Sequence, residues 1–278
     1  MSNVKIDSHQ HFWNYHPSTH EWIGPSMEVI KKDFLPADLY PLLQQNDMDG
    51  CIAIQAQQSE TETLFLLDLA KQHPFIKGVV GWLDLCAEDI GEKLQAYAKN
   101  PLLKGLRHVV QDEPDDYFML RPEFQRGLSL LEKYGLTYDI LIYPKHLSPA
   151  LELVKLFPGQ SFVLDHIAKP NINGKIDPNW EHYLGELGKR KNVYCKVSGM
   201  VTEAAWGKWS KSDFIPYLDV VFDSFGAERI MFGSDWPVCL LSAEYKQVKD
   251  ILTQYLTKYP KEIQEQVMGL NAQKFYRI

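Results

Sequence analysis

Eight short apolar runs, rich in β-branched and aromatic residues, recur along this chain and constrain its fold more than any other feature. They read as strands over residues 4–9, 51–56, 76–82, 103–109, 137–142, 161–166, 193–197 and 229–233. Their starts lie 24 to 47 residues apart, which leaves room for a helix in every gap. Strands that alternate with helices pair in parallel and are covered on both faces. Eight such units close into a (β/α)8 TIM-type barrel, an α/β architecture of about 250 residues. The 278 residues therefore read as one domain over 1–278, with no Ser/Gly-rich linker, charge block or internal repeat dividing them.

The gaps carry helix signals. Ser59-Glu60-Thr61-Glu62 has the capping-box order, so Glu62 is expected to reach back to Ser59. Ser148-Pro149 offers an N-cap followed by proline at the first helical position. Gly135 stands where a left-handed C-terminal cap belongs. Residues 243–255 place Tyr245, Val248, Ile251, Leu252 and Tyr255 on one helical face. The first connection, residues 12–50, is far longer than the rest and contains Trp13, His16, His20 and Trp22. A connection of that length in a compact domain is usually functional, and on a barrel it lies over the mouth.

Composition removes several function classes. At 45% hydrophobic and 23% charged the chain is globular, and no stretch reaches the about 20 apolar residues of a membrane helix. Its 29 basic and 36 acidic residues give a net charge of −7, with no basic run beyond three residues, so no nucleic-acid partner is expected. Cys51, Cys86, Cys195 and Cys239 form no CxxC pair, and residues 1–8 lack a secretory pattern; a reduced, cytoplasmic protein is expected.

Chemistry-bearing residues gather at the strand ends. Residues two apart on a strand face the same side, so His9 and His11 in Asp7-Ser8-His9-Gln10-His11 project together at the end of strand one. Two imidazoles side by side bind a metal or an oxyanion. An isolated His-x-His is equally compatible with two unrelated polar residues, and the other strand ends shift the balance. Strand six ends in Asp165-His166, and strand eight in Gly233-Ser234-Asp235-Trp236-Pro237. A structural His–carboxylate pair and a helix-capping Asp are the plainer alternatives for those two ends. Strand four delivers Arg107 and His108, and strand seven Lys196; substrate binding and structural ion pairing are both open for these. His16, His20, His73, His146 and His182 lack a strand-end setting and are expected at the surface, the first two within the long loop.

Together, Asp-Ser-His-Gln-His-Phe-Trp at 7–13, Gly-Leu-Arg-His at 105–108, Asp-His-Ile-Ala-Lys-Pro at 165–170, Cys-Lys-Val-Ser-Gly at 195–199 and Phe-Gly-Ser-Asp-Trp-Pro at 232–237 resemble the amidohydrolase superfamily. More closely, they resemble its sugar-acid lactonase branch, whose substrates include L-fucono- and L-rhamnono-lactones. The resemblance implies a carboxylic-ester hydrolase that opens a sugar-acid lactone, with Asp235 as general base. His9, His11 and His166, with Arg107 or a metal, would stabilise the oxyanion, and His108, Lys196, Trp13 and Trp236 would recognise hydroxyls and stack on the ring. Two-metal members of the superfamily bridge their ions with a lysine at the end of strand four. Here that end reads Leu106-Arg107-His108, and strand five ends without a histidine. His9, His11, His166 and Asp235 then suffice for one divalent ion, zinc first, and also for a metal-free site. A small-acid decarboxylase, another metal-dependent hydrolase on the same scaffold and a non-catalytic sugar-acid binding protein are the rival readings.

Overall fold

The computed structural model describes residues 4–278, so the first three residues of the stretch 1–8, read above as lacking a secretory pattern, lie outside the described residues. Eight parallel strands run in the order of the chain: β1 (Ile6–Gln10), β2 (Gly50–Ile54), β3 (Ile76–Gly81), β4 (Leu103–His108), β5 (Thr137–Ile140), β6 (Phe162–Leu164), β7 (Val193–Val197) and β8 (Ile230–Phe232). The seam closes just beyond β1 and β8: Gln10 bridges Trp236 in parallel, Asp235 N donates to His9 O at 2.8 Å and His11 N to Trp236 O at 2.7 Å. The expected (β/α)8 barrel is the observed one. Several strands end one or two residues earlier than the apolar pattern suggests, and after β4 and β6 the chain passes into 3-10 turns at Val110 and Asp165.

Each strand is followed by a helix: α1 (Pro36–Gln45), α2 (Glu60–Gln72), α3 (Ile90–Tyr97), α4 (Pro122–Leu128), α5 (Leu147–Leu156), α6 (Pro178–Gly188), α7 (Ile215–Phe225) and α8 (Tyr245–Leu256), with α9 (Lys261–Glu265) and α10 (Asn271–Tyr276) at the end. Among the described residues no helix is long and apolar enough to cross a membrane. Period-two alternation divides the core. Ile52, Ile54, Val80, Val163 and Met231 fill the barrel interior with Phe275 and Tyr276 of α10, whereas Cys51, Ala53, Val79, Tyr138 and Cys195 face the helical layer.

Local signals fared unevenly. Gly135 is left-handed, with φ 67°, and α8 buries Tyr245, Val248, Ile251, Leu252 and Tyr255 as its pattern predicts. Ser59 caps α2 by accepting from Thr61 N at 3.1 Å, but Glu62 does not return to it. The Glu62 carboxylate turns instead to the end of β2, accepting from Gln57 N at 2.7 Å and Ala56 N at 3.1 Å. Ser148 is not a cap: a 3-10 turn begun at Pro144 runs into α5, which therefore starts at Leu147. The long first connection has structure of its own, a 3-10 segment over Pro25–Ile30 and α1. It is pinned by reciprocal backbone bonds between Trp13 and Phe34 at 3.0 and 2.9 Å.

Candidate active site

Four strand-end residues converge. Between Asp7 and Gln10 the β1–β2 register slips, three residues advancing against two, and this bulge re-aims the end of β1. His9 and His11 then stand with ring centroids 5.0 Å apart, and His9 lies 4.4 Å from His166. Oδ1 of Asp235 is 3.3 Å from Nε2 of His11, 3.7 Å from that of His9 and 3.9 Å from that of His166. Close backbone approach makes this possible. A Cβ on Gly233 would meet the His9 Cβ at 2.6 Å, and one on Gly199 would meet the His166 Nδ1 at 2.5 Å.

His166 opens an unusual segment. His166, Ile167, Ala168 and Lys169 all have positive φ, between 50° and 60°, and form one left-handed turn closed by Lys169 N donating to His166 O at 2.8 Å. Non-glycine residues avoid this region, and a β-branched one most of all. Burial opposes the strain: Ile167 and Ala168 are fully buried, and the Trp180 indole N–H donates to Ile167 O at 2.8 Å.

The electrostatics follow from burial. Nδ1 of His11 lies 2.9 Å from the Ile54 carbonyl, which only accepts, so that nitrogen carries a proton and Nε2 faces Asp235. Burial holds His9 and His166 well below the usual histidine range, against the pull of Asp165 on His9 and Asp235 on His166. Both imidazoles are therefore neutral. Burial pushes Asp235 upward, but His166, His11 and Lys169 outweigh it, so its carboxyl is lowered and ionised. Two imidazole nitrogens and one carboxylate oxygen, from His9, His11 and Asp235, form a zinc-type donor set, and the 3.3 Å between His11 Nε2 and Asp235 Oδ1 matches the about 3.3 Å edge of a tetrahedron with metal–ligand bonds of about 2.0–2.1 Å. His9, His11 and Asp235 can jointly hold an ion, and the donor chemistry fits zinc. The second possible group is His9, Asp165 and His166, but Asp165 is already held by two cations.

Beneath the cluster lies a buried ionic layer. Lys196 Nζ, fully buried, is 2.5 Å from Asp139 Oδ2, 3.0 Å from Asp165 Oδ1 and 3.2 Å from His9 Nδ1. Arg107 Nη1 donates to Asp165 Oδ2 at 3.1 Å and its Nε to Gln55 Oε1 at 2.9 Å. Asp7, its carboxyl pushed up to about 6 by burial, accepts from Ser234 Oγ at 2.6 Å and Tyr245 OH at 3.0 Å. It ties β1 to the segment that carries Asp235.

Above the cluster opens a cavity of about 440 Å³ whose lining includes His11, Arg107, His166 and Asp235. Of the residues expected to recognise substrate, only Arg107 lines it. Lys196 sits a layer too deep, committed to two carboxylates. His108 follows Arg107 on β4 and so faces the opposite side, stacked on Phe118 at 4.5 Å with Glu113 at 2.7 Å. Trp13 is buried and donates to Lys32 O, and Trp236 packs edge-on to Phe34; both are wall, not floor. The aromatic surface the cavity does have is Trp22, from the long loop, and the half-buried cation is Lys169. Both lie in segments the sequence marks, but nothing in residue type picks them from their neighbours. Two histidines expected outside are buried. His20 meets the Gln57 amide at 2.9 Å, and Nδ1 of His146 accepts from Tyr143 N at 3.2 Å.

A model of the family described as Amidohydrolase matches residues 6–278. The chain belongs to the amidohydrolase family. An L-fucono-1,5-lactonase of Burkholderia multivorans is 37% identical over 266 residues, covering 92% of this chain and 89% of that protein. A second L-fucono-1,5-lactonase, from Burkholderia ambifaria, is 33% identical and covers 99% of this chain and 96% of its own. A crystal structure of an amidohydrolase from Burkholderia multivorans with bound zinc superposes with a TM-score of 0.94 at 36% identity, covering 99% of both chains. Within this family the present chain has no lysine at the mouth end of β4, since Lys104 lies at the opposite end and donates to Arg277 O at 3.2 Å.

Proposed function

We propose that this amidohydrolase hydrolyses a sugar-acid lactone, of the L-fucono- or L-rhamnono-lactone kind, to the aldonic acid. The observation that carries the reading is Asp235: an ionised, buried carboxylate among three imidazole nitrogens at the base of a sugar-sized cavity. The names of the relatives give the lactone class its support. A lactone is a cyclic ester, so its opening needs an activated water, a stabilised oxyanion and a proton for the leaving oxygen. Asp235 takes one proton from water as the water oxygen bonds to the carbonyl carbon. The ring C–O bond then breaks, and Asp235 returns that proton to the departing oxygen, which becomes a hydroxyl. The second water proton leaves when the new carboxylic acid ionises. General acid–base help of this kind contributes about 10²–10⁴-fold. Arg107, held rigid by Asp165 and Gln55, supplies a fixed positive charge for the oxyanion. His9, His11, His166 and Asp235 would hold a zinc ion, which when bound polarises the carbonyl. The test is a panel of aldonolactones followed with a pH indicator against spontaneous hydrolysis. Acid release from 6-deoxyhexonolactones is the expected result; no release from any lactone, or decarboxylation of hydroxybenzoates instead, would overturn the reading.

A further inference from the structure

Two cations line the cavity, and they differ in how they are committed. Arg107 is anchored by Asp165, by Gln55 and by the edge of His9. Lys169 makes no ion pair among the described residues; its Nζ stands over the Tyr143 ring, 5.5 Å from the centroid. Glu203 and Asp235 feel its charge without pairing with it directly, so the ammonium keeps its donors open to an anion entering the cavity. The left-handed turn explains how Lys169 comes to be there. One tight turn carries residues 166 and 169 to the same side, so His166 and Lys169 both line the cavity while Ile167 and Ala168 go into the core. The strained backbone therefore couples the position of the cation to that of a catalytic imidazole.

We infer that Lys169 is the anion-recognising residue of the cavity and that it takes the carboxylate formed when the lactone ring opens. The identity of that anion rests on the lactonase reading. A new carboxylate appears next to Asp235, whose own negative charge repels it, and the charge of Arg107 is shared with Asp165. Glu21 and Asp112 also line the cavity, but both are exposed and acidic and offer an anion no partner. Lys169 thus recognises the product more strongly than the uncharged substrate and makes the enzyme sensitive to its own product.

The probes are L-fuconate and L-fucitol, which share their hydroxyl pattern but differ in the carboxylate, titrated calorimetrically into the wild-type protein, Lys169→Met and Lys169→Arg. Methionine keeps the Cβ and stem, so the backbone at the same positive φ is no more strained. Wild type is expected to bind fuconate at least about tenfold more tightly than fucitol, the order of one charged hydrogen bond. Lys169→Met should erase that preference with fucitol binding nearly unchanged, and Lys169→Arg should keep it. Equal affinity for both probes in wild type would overturn the inference, as would a preference that survives in Lys169→Met. Lactone turnover is measured on the same samples. Fuconate binding that depends on Lys169 in a protein opening no lactone would support the assignment and overturn the lactonase reading alone.

Discussion

The turn that carries His166 and Lys169 holds four non-glycine residues at positive φ, and its strain can be read out at Ala168, φ 60° and fully buried. Replacing a buried alanine by glycine normally destabilises. The lost methyl burial costs about 0.8 kcal/mol, and the freer unfolded chain adds about 0.4–1 kcal/mol. At Ala168 the same change also removes the left-handed penalty of about 1–2 kcal/mol for a residue with a Cβ. The terms cancel to within about 1 kcal/mol. Ala150, equally buried but in the right-handed α5, has no such relief, and Ala150→Gly should cost about 2 kcal/mol. Urea denaturation of both variants, with m-values compared, gives the difference directly. A gap of about 1–2 kcal/mol in favour of Ala168→Gly is expected. Equal losses at the two sites would show that the turn stores no strain and would undo the argument that core burial and Trp180 hold it in place.

Further expectations follow from the charges. Burial raises the Glu62 carboxyl from an ordinary 4.5 to about 7. The folded protein therefore binds this proton more tightly than the unfolded chain, and stability contributed below pH 4.5 is lost as pH rises towards 7, by up to about 3 kcal/mol. Glu62→Gln should flatten the fall in urea midpoint between pH 5 and 7, and an unchanged slope would contradict this. Lys196→Met leaves Asp139 and Asp165 buried without their shared ammonium, so a loss of about 3–5 kcal/mol is expected, with partial recovery in Lys196→Met/Asp139→Asn. A thermal midpoint unmoved by Lys196→Met would mean the layer is not ionic. Elemental analysis after dialysis should find no more than one zinc per chain, because β4 turns no lysine towards the site. Two per chain would refute that.

The barrel was legible because its signal is repeated: eight apolar runs at helix-length spacing, each ending in turn chemistry. The convergence of His9, His11, His166 and Asp235 was legible for a related reason, since parallel strands share one mouth and all four residues stand at strand ends. Depth and facing were harder to read. Arg107 and His108 are neighbours on β4, and strand alternation alone forbids both from entering the site, a constraint the motif's appearance hid. Lys196 faces inward as expected, but whether an inward lysine reaches substrate or a buried carboxylate depends on Asp139 and Asp165, from two other strands. Trp13 and Trp236 belong to the wall because the long loop closes over them, a tertiary packing that no local pattern announces. The left-handed turn was invisible for the opposite reason. Ile167 and Ala168 have no preference for positive φ, and only the surrounding core imposes it.

Asp235→Asn tests the central claim most directly. Asparagine keeps the size and nearly the shape of the side chain but cannot take a proton from water. Lactone kcat, corrected at each pH for spontaneous opening, should fall at least about 100-fold, while KM changes less and the circular dichroism spectrum stays that of the wild type. A variant that folds and retains near-wild-type kcat at pH 7 would contradict the account and move the base elsewhere, to His166 first.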